Sequence, residues 1–114
     1  MRAVIIGLFA VTAASAVTLV AAQTLSAQRE QALVHVVRQD CGSCHGMRLT
    51  GGLGPPLTRE ALAEKPADSL AATIYHGRPG TPMPGWRSMI SEAEALWIAE
   101  QLLIGFPEER KAAR

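Results

Sequence analysis

Cys41-Gly42-Ser43-Cys44-His45 is the stretch that decides how this chain folds. Two cysteines two residues apart, followed at once by histidine, form the C-x-x-C-H pattern that attaches a c-type haem. The logic is geometric. On a helix, positions i and i+3 share a face, so two sulfurs reach the vinyl groups along one porphyrin edge, while i+4 turns the imidazole of His45 under the iron. Other uses of the same residues lack support. A redox dithiol would need a βαβ context that the flanks do not offer. A zinc site would need four N or S ligands, and the chain has two Cys and three scattered His. As a disulfide, the pair would staple a single turn and stabilise little.

Working outward, an iron held by His45 needs a sixth ligand. Met47, Met83, Met89, His35 and His76 carry suitable donors. Met47 follows too closely to reach the other porphyrin face. Met83 is best placed, because Pro82 and Pro84 lock the backbone on either side of it and stiffen the loop Gly80-Thr81-Pro82-Met83-Pro84-Gly85-Trp86. His76 is the main rival, and it equally suits the end of a helix ahead of Gly77. Between the two ligands, Gly51-Gly52-Leu53-Gly54-Pro55-Pro56-Leu57 excludes regular structure and predicts a loop fitted against a flat surface. A ligating histidine usually donates its other N–H to an orienting acceptor, and the Pro55 carbonyl is the nominated partner. Trp86, Arg48, Tyr75, Arg78 and Arg87 are candidates for the haem edge and its propionates.

Hydrophobic spacing around these landmarks is helical. Leu33, Val34, Val36 and Val37 lead into Cys41 as a first helix. A short turn is expected over Thr58 to Leu62, and Pro66 opens a helix to about Tyr75 that Gly77 and Pro79 end. Ser91-Glu92-Ala93-Glu94 is a capping box for a last helix carrying Ala95, Leu96, Ala99, Leu102 and Leu103, stopped by Gly105 and Pro107. No strand pattern of useful length is found, so the fold class is all-α.

Met1-Arg2 precedes an uncharged apolar run from Ala3 to Ala22 that reads as a secretory signal. Cleavage is expected after Ala22, with Ala27 the next candidate. That divides the chain into a signal peptide, 1–22, and one exported domain, 23–114. Left uncleaved, the run is long enough to anchor the protein in a membrane. The 114 residues allow one domain. Eleven Lys and Arg against ten Asp and Glu leave a net charge of +1, which cleavage after Ala22 would bring to balance by removing Arg2. Such a surface gives no basic field for nucleic acid. With only 4% aromatic residues, the exported domain is short of core material, and a covalently held porphyrin would supply the missing apolar bulk. The tail from Glu108 to Arg114 has no helical stripe and is expected to fray.

The order of landmarks resembles the small class I cytochromes c from about Gln31 to Phe106. Most of all it resembles the small periplasmic cytochromes c that accompany the haem c and haem d type nitrite reductase of denitrifying bacteria. Val37-Arg38-Gln39-Asp40 before the haem motif with Gly46-Met47 after it, Leu53-Gly54-Pro55, and Ile74-Tyr75-His76-Gly77-Arg78-Pro79 running on to Trp86 carry that likeness. The resemblance implies one covalent haem c on Cys41 and Cys44, and His45 and Met83 as iron ligands. It also implies a Pro55 carbonyl that accepts from His45, Leu57 packed on the porphyrin, and a final helix packed on the first. The implied function is a monomeric periplasmic one-electron carrier without turnover of its own, donating to nitrite reductase through a small interface around Gly42, Gly46 and Gly80. The alternative is an accessory factor in haem d biosynthesis or maturation of the reductase. A gas-binding or catalytic cytochrome would require Met83 to leave the iron free.

Overall fold

The computed structural model describes residues 24–110, so the apolar run read as a signal, 1–22, lies outside the described residues. Among the described residues every regular element is helical, and no helix is long and apolar enough to cross a membrane.

Helix α1 (Ala27–Val36) starts where Ser26 accepts a hydrogen bond from the Arg29 amide at 3.2 Å. It does not end at Val36 but widens into a π-turn, Val37–Cys41, and resumes as α2 (Gly42–His45). The π-turn is a departure from the regular helix that the sequence predicts. Its physical signature is the Gly42 amide donating to the Val37 carbonyl, five residues back. Val37 and Cys41, four residues apart, still share a face and line the same cavity.

Thr58 caps α3 (Arg59–Leu62) through the Ala61 amide. Pro66 stands as the N-cap of α4 (Ala67–His76), one position ahead of the first-turn place expected for it. Helix α5 (Glu92–Ile104) opens with the capping box, with Ser91 Oγ accepting from the Glu94 amide and Glu94 from the Ser91 amide.

The most extensive backbone packing is α4 on α5. Leu33 and Val37 from the first helix share one core with Leu49, Leu62, Ile74, Ile90, Ala95, Ile98, Ala99 and Leu102. Helix α1 is tied to α5 through side chains, as Arg29 forks onto the Glu94 carboxylate at 2.5 and 3.0 Å. Trp97 lines a surface groove together with Ala27, Gln31 and Val34 of the first helix and meets Phe106 edge-on, 6.4 Å between centroids. The tail departs from the fraying expected of it: Glu108 and Glu109 reach back to Arg38, His35 and Gln39, while the last four residues lie outside the described residues.

Candidate haem site

The end of the π-turn and helix α2 deliver three side chains in five residues, Cys41 from the turn and Cys44 and His45 from the helix, and the following loop is stitched back onto them. Gly51 N–H donates to the His45 carbonyl at 2.8 Å, and Gly54 N–H to that of Cys44 at 2.7 Å. These bonds bring Gly54 so close that a Cβ there would stand 2.8 Å from His45 Nδ1. Only glycine leaves the imidazole its place. The ring is 8% exposed, and its Nδ1 lies 2.7 Å from the Pro55 carbonyl. A carbonyl can only accept, so Nδ1 carries the proton and Nε2 keeps its lone pair for a metal.

The second loop is fixed with equal economy. Gly77 and Gly85 cross with no room for side chains, since a Cβ on Gly77 would fall 2.5 Å from the Gly85 nitrogen, and one on Gly85 2.7 Å from the Tyr75 carbonyl oxygen. Around that crossing, Trp86 N–H donates to Ile74 and Arg87 N–H to Tyr75. Arg78 N–H donates to the Met83 carbonyl at 3.2 Å, and Thr81 Oγ1 bonds the Arg78 carbonyl at 2.7 Å. Met83 is therefore displayed from a closed loop anchored on the end of α4.

Both loops open on one cavity of about 1340 Å³. Cys41, Cys44, His45, Pro55, Leu57, Met83 and Trp86 all line it, so the sequence-predicted site residues come together in one place. Of the propionate candidates, Trp86 and Arg78 line the cavity and Arg48, Tyr75 and Arg87 do not. The rival ligand His76 is the exposed last residue of α4, also outside the lining, as are Met47 and Met89. Of the three glycines expected at a docking face, Gly42 is buried and Gly46 partly so, leaving Gly80 exposed. Leu53, at the cavity mouth, is 96% exposed.

Sequence reasoning missed the far wall, where Ser69, Leu70, Thr73 and Ile74 of α4 face the cavity. Their spacing of one, three and four residues was the available signal.

The lining suits a haem. Its volume exceeds the roughly 300–1,000 Å³ of ordinary small-ligand sites, and Val37, Leu57, Leu62, Leu70, Ile98 and Leu102 make it apolar. Burial and then the Asp40 carboxylate push the Cys41 thiol up to about 11, so it is a neutral thiol at neutral pH. Cys44 is exposed.

A helical domain that sets C-x-x-C-H and a proline-flanked methionine on one apolar cavity has the architecture of a c-type cytochrome. Residues 28–101 match the family described as cytochrome c oxidase, cbb3-type, subunit III, and the chain belongs to that cytochrome c family. It is similar to cytochrome c55X of Stutzerimonas stutzeri, 58% identical over 73% of this chain and 74% of that protein. It is likewise similar to cytochrome c55X of Paracoccus denitrificans, 56% identical over 68% of this chain and 75% of that protein. Among solved structures it is similar to c-type cytochrome NirC, with a TM-score of 0.70 and 54% identity over 71% of this chain and 95% of that one. A longer protein, dihydro-heme d1 dehydrogenase NirN in complex with DHE, shares the domain with a TM-score of 0.58 and 34% identity, over 68% of this chain but 16% of that one. The family implies a covalently bound haem c and a role in electron transfer.

Proposed function

We propose that this protein is a periplasmic one-electron carrier, not an enzyme, which holds a single haem c through Cys41 and Cys44 with His45 and Met83 as axial ligands. In this reading it donates electrons to nitrite reductase in denitrification. The observation that carries it is the convergence of both thiols, the Met83 loop and a His45 imidazole oriented by Pro55 on one cavity. A bound haem supplies one-electron cycling between ferrous and ferric iron, and Met ligation raises its potential. The chain supplies the rest. Pro55 holds the Nδ1 proton so that Nε2 points as a neutral donor, Leu57 and the α4 wall exclude water, and the closed Met83 loop limits ligand exchange. Partners would meet the cavity mouth around Leu53 and Gly80 in a small, transient interface.

The exported domain begins at Gln23 in this proposal. Leu25 packs on the core and Ser26 caps α1, which favours cleavage after Ala22 over Ala27, where both would be lost.

A second reading rests on the likeness to the dihydro-heme d1 dehydrogenase: this chain accepts or relays electrons during maturation of the reductase's haem d. Co-purification with the reductase or with its biosynthetic enzymes separates the two.

The decisive test is absorption spectroscopy of the holoprotein, ferric and ferrous, with and without CO, for wild type and Met83→Ala. We expect the weak red band of thioether-ligated ferric haem in wild type, its loss in the variant, and CO binding by the variant alone. Ready CO binding by wild type, unchanged by the substitution, would mean open iron and a sensor or catalyst instead.

A further inference from the structure

Among the described residues, Arg38 is the one buried residue that carries a fixed charge, and it has no part in the proposed haem ligation. It sits in the π-turn, one turn before Cys41, and its side chain is 8% exposed. Val37 and Cys41 line the cavity, whereas Arg38 does not. Its guanidinium reaches into the C-terminal tail. Nη2 donates to the carbonyls of Phe106 at 2.9 Å and Pro107 at 2.8 Å, Nε donates to Pro107 at 3.2 Å, and the group lies over the Phe106 ring at 5.6 Å from its centroid. Phe106 in turn is fixed edge-on by Trp97.

This socket satisfies the hydrogen bonds of the cation without neutralising it. Carbonyls and a ring face are dipoles and quadrupoles, with no net charge. The carboxylate within reach, Glu108 at 3.4 Å, is 91% exposed, so solvent damps its field. Asp40, on the same turn, is exposed, and Glu109 is engaged with His35 and Gln39. A buried cation lacking a buried counter-charge projects its field through the low-dielectric interior, where salt screens poorly. That interior holds the residues assigned to the haem.

We propose that Arg38 is a tuning residue, which raises the reduction potential of the haem carried by Cys41, Cys44 and His45, and that Phe106 and Pro107 are the socket that keeps its charge dry. A positive charge disfavours the ferric state, which is itself more positive by one. Removing the charge therefore lowers the potential. Coulomb's law sets the scale: at an effective dielectric near 20, a unit charge on the order of 12 Å from any redox centre changes such an equilibrium by roughly tenfold, equivalent to ~59 mV for a one-electron couple.

The inference rests on the haem reading, and its test distinguishes failure of the one from failure of the other. Holoproteins carrying Arg38→Lys, Arg38→Gln and Arg38→Met would be titrated spectroelectrochemically at low and high salt, with thermal unfolding measured alongside. We expect Gln and Met each to shift the ferrous–ferric equilibrium about tenfold toward ferric at both salt concentrations. Lys, which keeps the charge but cannot fork two carbonyls, would hold the wild-type potential while losing stability with the others. Should Arg38→Met fail to accumulate, Arg38→Gln, still able to donate to one carbonyl, carries the comparison. Potentials that follow stability in all three variants, or that do not move, overturn the proposal and leave the haem assignment intact. A chain isolated without covalent haem overturns both.

Discussion

Leu49 shows how much of the site depends on residues that carry no chemistry. It has a φ of 60°, left-handed backbone in a residue other than glycine, and is 3% exposed. Its N–H donates to Gly46 and its carbonyl accepts from Leu57, both at 2.8 Å, so it turns the chain out of α2 and fixes the start of the loop that lines the cavity. The left-handed conformation costs roughly 1–2 kcal/mol, and burying the leucine side chain returns about 1.5–3 kcal/mol. Leu49→Ala should destabilise the holoprotein by about 2–5 kcal/mol. Leu49→Gly enlarges the void by only the Cβ while freeing the backbone, so it should be more stable than the alanine variant by about 1 kcal/mol. That reverses the usual order of the two residues, and urea unfolding of both variants would reveal it. An alanine variant that outlasts the glycine one would mean the positive φ stores no strain. Met47-Arg48-Leu49-Thr50 contains no sign of this conformation, because tertiary hydrogen bonds impose it. The sequence does mark Cys41, Cys44, His45, Pro55 and Met83, which share one cavity here, because C-x-x-C-H and a proline-flanked methionine are local patterns.

Between elements, the last helix is anchored by a residue with two duties. Ser91 and Glu94 are readable as a capping box, but the clasp of Glu94 by Arg29 joins positions far apart in the chain and leaves no local pattern. The π-turn was hidden for a related reason: the apolar spacing of Leu33 and Val37 suits an ordinary helix as well as a widened one. Hydrogen bonding by Arg29, then the Ser91 amide and the Arg29 charge, together outweigh partial burial and hold the Glu94 carboxyl below its ordinary 4.5. A depressed carboxylate contributes stability that is fully present above the ordinary value and lost as pH falls through the folded one. Glu94→Gln keeps a neutral capping partner and loses the charge. It should be less stable than wild type by about 0.5–1 kcal/mol at neutral pH, a modest figure because Arg29 is partly in solvent. The gap should close as acid protonates the wild-type group. Thermal unfolding of both proteins from pH 7 down to 3 would test this, and a difference independent of pH would mean the carboxylate charge is idle.

For the molecule as a whole, half of the buried core residues are also cavity wall. Val37, Leu62, Ile74, Ile98 and Leu102 belong to the buried cluster and also line the cavity, so emptying one opens the other. A void costs about 24 cal/mol per Å³. Applied to only a third of the 1340 Å³, allowing the rest to solvent, that is about 10 kcal/mol, as large as the roughly 5–15 kcal/mol by which a domain is normally stable. The chain has no disulfide to offset the loss, since both its cysteines face the haem site. The double variant Cys41→Ala/Cys44→Ala, made without covalent haem, should therefore retain some helix in far-ultraviolet circular dichroism. It should lose the near-ultraviolet signals of Trp86 and Trp97 and melt without a cooperative transition. A sharp transition and native near-ultraviolet bands in that variant would show that α4 and α5 close over the gap unaided. The prosthetic group would then be a passenger rather than the centre of the core. We expect the reverse, because the α4–α5 contact that could close the gap already spends its inner face on the cavity wall, through Leu70, Ile74, Ile98 and Leu102.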